Sequence, residues 1–287
     1  MTPKSKETTV LAHLPAAQNG FSLISNEKLL QLYSTMLKCR MIGERARILF
    51  KQNKAAGKNY VAQGQEAAVV GAAIDLLPTD TVAPWRSSFI PSFIKGVPLD
   101  NIFSDLRDRS ASPGKGRAAR ATRNMAAGIA LANKDSKNNK IVVAFRDEES
   151  TLAGSWQEAL SFAGVHDLPM IFVSHPKPVN TKLQAQAYAF PTIAVDGNDV
   201  VAVYRVACEA IAHARKGNGP TLIECQTLPS NGDPILNMEQ YLRRKGLFRE
   251  ELKKDVTVKF GKALDAAIER QQATAGGQAP RRKLPRT

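Results

Sequence analysis

The sequence is poor in the residues that build metal sites and disulfide frameworks. Its 287 residues include three cysteines and four histidines. Cys39, Cys208 and Cys225 lie far apart and show no metal-ligand spacing, and the histidines form no HxxH or HExxH pair. We therefore predict no metal site from these residues. Since Cys208 and Cys225 have apolar neighbours, we expect them to be small buried side chains.

Long apolar runs are also missing. No window approaches the roughly eighteen apolar residues that a membrane-spanning helix needs. The first twenty residues, MTPKSKETTVLAHLPAAQNG, contain no long apolar segment and include Glu7, which is untypical of secretory and transit peptides. The sequence thus predicts a cytoplasmic protein without a membrane partner.

Acidic residues are outnumbered, and the net charge is +14. The basic residues cluster in LRDRSASPGKGRAARATR, from Leu106 to Arg123, and in the final segment RRKLPRT. Only 6% of the residues are aromatic, and neither cluster interleaves aromatic residues that stack on bases. A nucleic-acid partner is therefore disfavoured, which leaves solvated charge or a phosphate-rich partner.

Helical and strand patterns alternate along most of the chain. Strand patterns in DTVAP, KIVVAF, PMIFVS, TIAVD and PTLIECQT are separated by helical patterns such as TRNMAAGIALAN, GSWQEALSFAGVH and NDVVAVYRVACEAIAHARKG. Earlier in the chain, the sequence predicts a small-residue helix that ends at Pro78. Before it, the sequence predicts a long amphipathic helix capped by Ser25, whose apolar face contains Leu29, Tyr33, Met36, Leu37 and Ile42. This alternation predicts an α/β fold with a parallel sheet and helices on both faces. We assign residues 1–24 to a flexible arm, 25–272 to one α/β domain that ends in helices, and 273–287 to a disordered basic tail.

Three consecutive acids follow the second of these strands. Asp147, Glu148 and Glu149 come directly after the apolar run Ile141 to Phe145. Ligands of open α/β sheets usually bind at the carboxyl ends of strands. The three carboxylates therefore either belong to a site or disrupt one, and an exposed turn is the alternative for Asp147 and Glu149.

Several segments resemble the alpha subunit of the decarboxylating component of 2-oxoacid dehydrogenase complexes. They are LLQLYSTMLKCRMIGERA, GQEAAVVGAAIDLLPTDTV, WRSSF, IKGVPLDNIFSDL, MAAGIALA, WQEALSFAGVHDLPMIFV, VDGNDVVAVY and GPTLIE, in that order from Glu27 to Ile268. The resemblance implies the thiamine-diphosphate-binding fold. It also implies a thiamine diphosphate and magnesium site shared with a beta-type subunit.

The resemblance also shows where this sequence departs from the cofactor motifs. The family's Gly-Asp-Gly turn, whose Asp binds magnesium, falls on Asp147, Glu148 and Glu149, so both glycines are acids here. Side chains at those positions hinder close backbone approach, and the added charge repels a diphosphate. The family's second metal ligand, an Asn, falls on Lys177, and a protonated lysine offers no lone pair to a metal.

Two residual site positions follow from the same comparison. Arg86 in WRSSF is a candidate phosphate-binding residue, with a surface or interdomain ion pair as the alternative. We also expect Glu148 and Lys177 to form an ion pair where the metal lies in the family. Arg86, Glu148 and Lys177 are thus the predicted cofactor-binding positions, and no catalytic residue or metal ligand is assigned. Trp85 and Trp156 are expected to pack rather than to bind a ligand, and His175 is a weak candidate for a general base.

Three functions are consistent with these residues. The first is a catalytically degenerate alpha-type subunit or scaffold that no longer binds thiamine diphosphate and magnesium normally. The second is an active, thiamine-diphosphate-dependent 2-oxoacid dehydrogenase that works with a beta-type subunit. The third is a basic module that binds a phosphate-rich partner. The sequence favours the first, with a beta-type subunit or a second copy of the chain as the partner.

Overall fold

The computed structural model describes residues 24–49, 64–83, 89–111, 117–146, 153–175, 189–226 and 232–276. Within these ranges the chain forms five strands and nine helices. Described helices separate successive strands except the third and fourth, and two further helices follow the last strand. No helix of the described residues is long and apolar enough to cross a membrane.

The five strands form one parallel sheet. They are β1 (Thr81–Ala83), β2 (Val142–Arg146), β3 (Met170–Ser174), β4 (Thr192–Asp196) and β5 (Thr221–Gln226). Their order is β1-β2-β3-β5-β4, and every neighbouring pair runs parallel. The predicted α/β class with a parallel sheet is therefore confirmed. All five carboxyl ends lie at one edge of the sheet, the carboxyl edge.

Helices cover both faces of the sheet, as predicted. They are α1 (Asn26–Leu49), α2 (Glu66–Ala73), α3 (Ile90–Ile94), α4 (Leu99–Ala111), α5 (Arg117–Asp135), α6 (Ala153–Val165), α7 (Val200–Arg215), α8 (Pro234–Arg244) and α9 (Glu250–Gly276). Alternate strand residues point to opposite faces. Val143 and Phe145 therefore join the large core with α1, α2 and α7, whereas Val142 and Ala144 join a smaller core with α5 and α6.

The first helix follows its sequence pattern. The hydroxyl of Ser25 accepts a hydrogen bond from the backbone N–H of Lys28 at 3.1 Å, which caps α1. The residues predicted to form its apolar face are all buried: Leu29, Tyr33, Met36, Leu37 and Ile42. This face packs against the helices on the larger side of the sheet.

The small residues of α2 allow it to pack closely against α7. A Cβ atom built on Gly71 would lie 2.9 Å from Val203 Cβ and 3.1 Å from the backbone nitrogen of Tyr204. The helix ends at Ala73, five residues before the Pro78 that the sequence pattern takes as its end. A turn then connects it to β1.

Two helices and several helix ends differ from the sequence pattern. The pattern does not predict α3 or α4, and α5 begins at Arg117 rather than near Thr122. The final helix extends to Gly276, beyond the predicted boundary at residue 272. The proposed arm (except Ile24) and the rest of the proposed tail lie outside the described residues.

Candidate functional site

The carboxyl edge of the sheet is the place where an open α/β fold binds its ligands. The segments that follow β1, β2 and β3 begin at adjacent strand ends. These segments contain all three predicted site residues, Arg86, Glu148 and Lys177. The three residues lie outside the described part of the chain, as do Asp147 and Glu149. Their assignments, including the Glu148–Lys177 pair, stay predictions.

The described strands bring a row of polar residues to this edge. Arg146 pairs in register with Ser174 on β3, and Ser174 pairs with Glu224 on β5. Residues in register point to the same face, so the row lies on the α5 and α6 side of the sheet. Adjacent strands are about 4.8 Å apart, which places the backbones of Arg146 and Glu224 about 10 Å apart.

Glu224 is a buried carboxyl group within this row. Burial raises its pKa, and the positive charge of Arg146 opposes that rise. A buried carboxyl with a raised pKa exchanges a proton at higher pH than an exposed one. The row therefore combines a permanent cation with a carboxyl group whose pKa burial raises.

Arg146 is kept at the edge by an aromatic side chain. Its guanidinium lies 5.8 Å from the ring centroid of Trp156, a cation–π arrangement. Trp156 is buried and packs edge-on against Phe172, with the ring centroids 5.2 Å apart. The expectation that Trp156 is a packing residue is confirmed, whereas Trp85 lies outside the described residues.

His175 follows β3 and is also buried. Its backbone N–H donates to the Arg146 carbonyl at 3.3 Å, and the same carbonyl lies 3.5 Å from Nδ1. Burial lowers the pKa of His175 to about 4, although the contact with the Arg146 carbonyl opposes this shift. The imidazole is therefore neutral at pH 7.

A second polar cluster lies at the same end of the molecule. The guanidinium of Arg40 donates from Nε and Nη2 to Glu66 at 2.5 and 3.0 Å, and from Nη1 to Asp233 at 2.7 Å. Glu66 is completely buried and also accepts from the backbone N–H of Gly64 at 2.8 Å. Asp233 caps the first turn of α8. Arg40 thus joins the amino ends of α2 and α8.

The sequence reasoning did not identify this row or the Arg40 cluster. The Asp-Pro pair at Asp233 and Pro234 is a helix-start pattern that predicts the cap. Arg146 continues β2 by one residue beyond the expected strand end at Phe145. No local pattern identifies Glu224 as a partner for Arg146, because strand register brings them together.

The described residues do not fit a complete magnesium diphosphate site. They contain no group of three or more His, Cys, Asp or Glu side chains that could hold a metal ion. Arg146 supplies a cation that suits a phosphate or carboxylate group. The buried carboxyl of Glu224 lies in the same row. One cation and one buried carboxyl, without a set of metal ligands, define no reaction step at the cofactor.

The cysteines take ordinary places in the fold. Cys39 and Cys225 are buried and Cys208 is half-buried, so the prediction for Cys225 is confirmed and that for Cys208 holds only in part. The Cys208 Sγ lies 4.0 Å from Asp75, and Asp75 accepts from the Tyr204 hydroxyl at 2.5 Å. This polar contact keeps Cys208 near the surface.

The fold and its polar carboxyl edge define an α/β protein whose candidate ligand site lies at the ends of parallel strands. Comparison with known sequences is more specific. The family described as "Dehydrogenase E1 component" matches residues 33–176 and 177–232. The chain therefore belongs to the E1 dehydrogenase family, among the alpha subunits of pyruvate and branched-chain 2-oxoacid dehydrogenases.

Curated relatives agree with this assignment. The alpha subunit of 3-methyl-2-oxobutanoate dehydrogenase from Mycobacterium tuberculosis is 30% identical, over 82% of this chain and 76% of its own. The alpha subunit of acetoin:2,6-dichlorophenolindophenol oxidoreductase from Bacillus subtilis is 29% identical, with 75% and 74% covered. The alpha subunit of the pyruvate dehydrogenase E1 component from Acholeplasma laidlawii is 32% identical, with 71% and 65% covered. The resemblance stated from the motifs is confirmed.

Proposed function

We propose that the chain is the alpha-type subunit of a 2-oxoacid dehydrogenase E1 component. In this proposal it acts with a beta-type subunit in the thiamine-diphosphate-dependent oxidative decarboxylation of a 2-oxoacid. One observation carries the proposal: the family match from residue 33 to 232 contains all five strands of the sheet and therefore the whole carboxyl edge. All three relatives described above are alpha subunits of oxidoreductases.

The substrate is proposed at the level of its class. The relatives are named for acetoin, 3-methyl-2-oxobutanoate and pyruvate, so their names do not select one compound. A 2-oxoacid carries a carboxylate, and a guanidinium binds such a group well. Arg146 is a described cation at the carboxyl edge and is our candidate for that contact.

Thiamine diphosphate, when bound, supplies the electron sink that decarboxylation requires. The described residues have narrower roles. Arg146 orients an anion, Glu224 supplies a carboxyl group with a raised pKa in the same row, and the neutral His175 adds no charge. Arg40 fixes the amino ends of α2 and α8 around the edge. The cytoplasmic location and the domain boundaries stay predictions.

A second candidate function rests on a specific observation in the sequence. Three acids at positions 147–149 and Lys177 occupy the positions of the cofactor motif. These residues favour a degenerate subunit that keeps the fold and the partner contacts but no longer binds the cofactor normally. The third function, a basic phosphate-binding module, has no described contact in its favour.

Calorimetric titration with thiamine diphosphate and magnesium separates the first two candidates. The chain is titrated alone and in complex with a co-purified beta-type subunit. Oxidation of pyruvate and of 3-methyl-2-oxobutanoate is followed with an artificial electron acceptor. Magnesium-dependent binding with turnover supports the active subunit. A folded complex that shows neither binding nor turnover overturns it and supports the degenerate subunit.

The proposed Glu148–Lys177 pair is tested by a double-mutant cycle. Glu148→Gln, Lys177→Met and the double variant are compared by urea unfolding. If the residues pair, the sum of the stability losses in the two single variants exceeds the loss in the double variant. Additive effects, or a gain in stability from Lys177→Asn, would contradict the pair.

A further inference from the structure

The chain leaves the carboxyl edge after β1 and returns to it at the start of α5. Helix α5 immediately precedes β2 and packs on β1 and β2. Because β2 starts at the opposite edge of the sheet, α5 runs antiparallel to it. The 19 residues of α5 span about 28 Å, which is longer than the strand. The start of α5 at Arg117 therefore lies at the carboxyl edge, and α3 and α4 connect β1 to it.

Helix α4 ends close to the start of α5. Residues 112–116 alone separate its last residue, Ala111, from Arg117. A connection of this length reaches at most about 22 Å. We call the end of α4 and the start of α5 the α4–α5 junction. The sequence around it is the basic cluster from Leu106 to Arg123, so the position of α4 determines where this basic part of the chain meets the carboxyl edge.

Helix α4 depends on α9 for most of its packing. The apolar residues Ile102, Phe103 and Leu106 of α4 are buried in the large core. Leu264 and Ala267 of α9 are buried in the same core. Among the described elements, α4 packs mainly against α9 and to a smaller extent against α3. The last helix of the domain therefore supports the helix that leads to the junction.

The end of α9 also holds the start of α4 by hydrogen bonds. Arg270 donates from Nε and Nη2 to the two carboxylate oxygens of Asp100, each at 2.9 Å. Gln271 donates from Nε2 to the backbone carbonyl of Asp100 at 2.9 Å. The hydrogen bond from Arg270 lowers the pKa of Asp100, so the carboxylate is ionised at pH 7. We call these three residues the Asp100 clamp.

An aromatic contact ties the preceding helix to α9 independently of the clamp. The ring of Phe93 on α3 packs against Phe260 on α9, with centroids 5.6 Å apart. Phe260 lies ten residues before Arg270, which is about 15 Å along the helix. Helix α9 thus contacts α3 through Phe260 and α4 through the clamp, and the second contact can be removed without the first.

We propose that the Asp100 clamp is the device by which α9 positions the α4–α5 junction at the carboxyl edge. Its geometry carries the proposal, because an arginine bound to both oxygens of a carboxylate fixes orientation as well as distance. Arg270 and Gln271 are positioning residues in this proposal. They act at the start of α4, about 17 Å along the helix from Ala111, and they affect the candidate site only through the orientation of α4.

Limited trypsin digestion of the full chain tests the clamp. Trypsin cuts after lysine and arginine, which are frequent in the sequence around the junction. In Arg270→Leu we expect cleavage within residues 107–123 to become about threefold faster or more, because cleavage follows the population of locally opened chain. Mass spectrometry identifies the sites that are cut. The measurement requires neither cofactor nor activity.

Two further variants make this test specific. Arg45→Leu is the matched control, because it removes an ion pair between α1 and α9 of similar exposure and leaves α4 untouched. We expect it to be cut at the wild-type rate. Arg270→Lys keeps the charge but loses the two-pronged contact, and an intermediate rate is expected. Equal rates in Arg270→Leu and Arg45→Leu would overturn the proposal, as would faster cleavage spread evenly over the whole chain.

Binding of inorganic pyrophosphate measures the effect on the candidate site. This readout rests on the proposed anion contact of Arg146, which Arg146→Met checks. By calorimetry we expect the dissociation constant to be about threefold higher or more in Arg270→Leu than in the wild-type chain and in Arg45→Leu. A wild-type chain that binds no pyrophosphate would contradict the Arg146 contact, whereas the trypsin rates still decide the clamp. Faster cleavage in Arg270→Leu with unchanged pyrophosphate affinity would overturn the effect on the site.

Discussion

Arg40 pairs with the buried carboxylate of Glu66, so removing Arg40 leaves that carboxylate unpaired. It is mostly buried and makes two hydrogen bonds to Glu66, which has no exposed surface. Breaking a buried pair by removing one partner is far more harmful than breaking an exposed one. Arg40 therefore has a structural role in addition to its contribution to the net charge of the chain.

We expect Arg40→Leu to lower the free energy of unfolding by about 3 kcal/mol or more, because Glu66 stays buried without its cation. Arg45→Leu is the matched control on the same helix. Its ion pair with Asp265 at 3.0 Å is about half exposed on both sides, so that change costs about 1 kcal/mol or less. Urea unfolding of both variants provides the measurement. Equal losses would contradict the role of Arg40.

His175 makes the stability of the protein depend on pH. Its folded pKa of about 4 lies below the ordinary value of 6.5, so the unfolded chain takes up a proton first as the pH falls. Stability is therefore unaffected by this group above pH 6.5, falls as the pH decreases from 6.5 to about 4, and then levels off. The full loss is at most about 3 kcal/mol.

The variant His175→Gln removes this loss. We expect its unfolding free energy to change less between pH 7.5 and pH 4.5 than that of the wild-type chain, when both are measured by urea unfolding. His166→Gln changes an exposed imidazole and is the control. An unchanged pH dependence in His175→Gln would show that burial of this ring is not the cause.

At the scale of elements, the contact between α2 and α7 depends on a glycine. A Cβ at Gly71 would clash with Val203 at 2.9 Å and would lie tightly against the backbone nitrogen of Tyr204 at 3.1 Å. We therefore expect Gly71→Ala to lower the unfolding free energy by about 1–3 kcal/mol. We expect this loss of stability even though alanine has a higher helix propensity than glycine.

Gly261→Ala is the matched control on α9. An added Cβ there lies 3.8 Å from the flexible end of Met41, an ordinary contact. The variant is expected to gain about 0.5–1 kcal/mol, because alanine loses less backbone entropy than glycine. Thermal and urea unfolding of the two variants measure the difference. A loss of the same size at both positions would show that close packing at Gly71 is not responsible.

The elements also show what the sequence can predict. Strand β4 spans Thr192–Asp196, the predicted TIAVD, because its ends are marked by proline and by the turn before the Asp199 cap. The pattern failed at α4, where Ile102, Phe103 and Leu106 are buried at helical spacing. Their periodicity is short, and the following run of arginines suggested a solvated segment instead.

The candidate site was predictable only in part. The location at the carboxyl edge follows from strand and helix alternation, which is local in sequence. The row Arg146, Ser174 and Glu224 joins three strands whose register is fixed by tertiary packing. A local pattern encodes no such register, so the row could not be predicted.

At the scale of the whole molecule, net charge opposes the compact state. The chain carries +14, and like charges repel over a distance that salt shortens from about 30 Å at 0.01 M to about 8 Å at 0.15 M. We therefore expect the free energy of unfolding to rise when sodium chloride is raised from low to moderate concentration.

Urea unfolding at several sodium chloride concentrations measures this dependence. The free energy of unfolding is expected to rise between about 0.02 and 0.3 M salt, because screening weakens the repulsion between like charges of the folded chain. An unfolding free energy that falls with salt would contradict net repulsion in the folded state.

The helices of this domain are synthesised in an order that differs from the order in which they pack against one another. The hydroxyl of Tyr33 on α1 donates to Glu239 on α8 at 2.9 Å, although Glu239 lies 206 positions later in the sequence, and the Tyr33 ring packs edge-on against Phe248. Contacts between such distant segments form late in folding. During translation the part of the apolar side of α1 that packs on α8 and α9 therefore stays uncovered until nearly the whole domain has been synthesised, and exposed apolar surface of this kind is prone to aggregation.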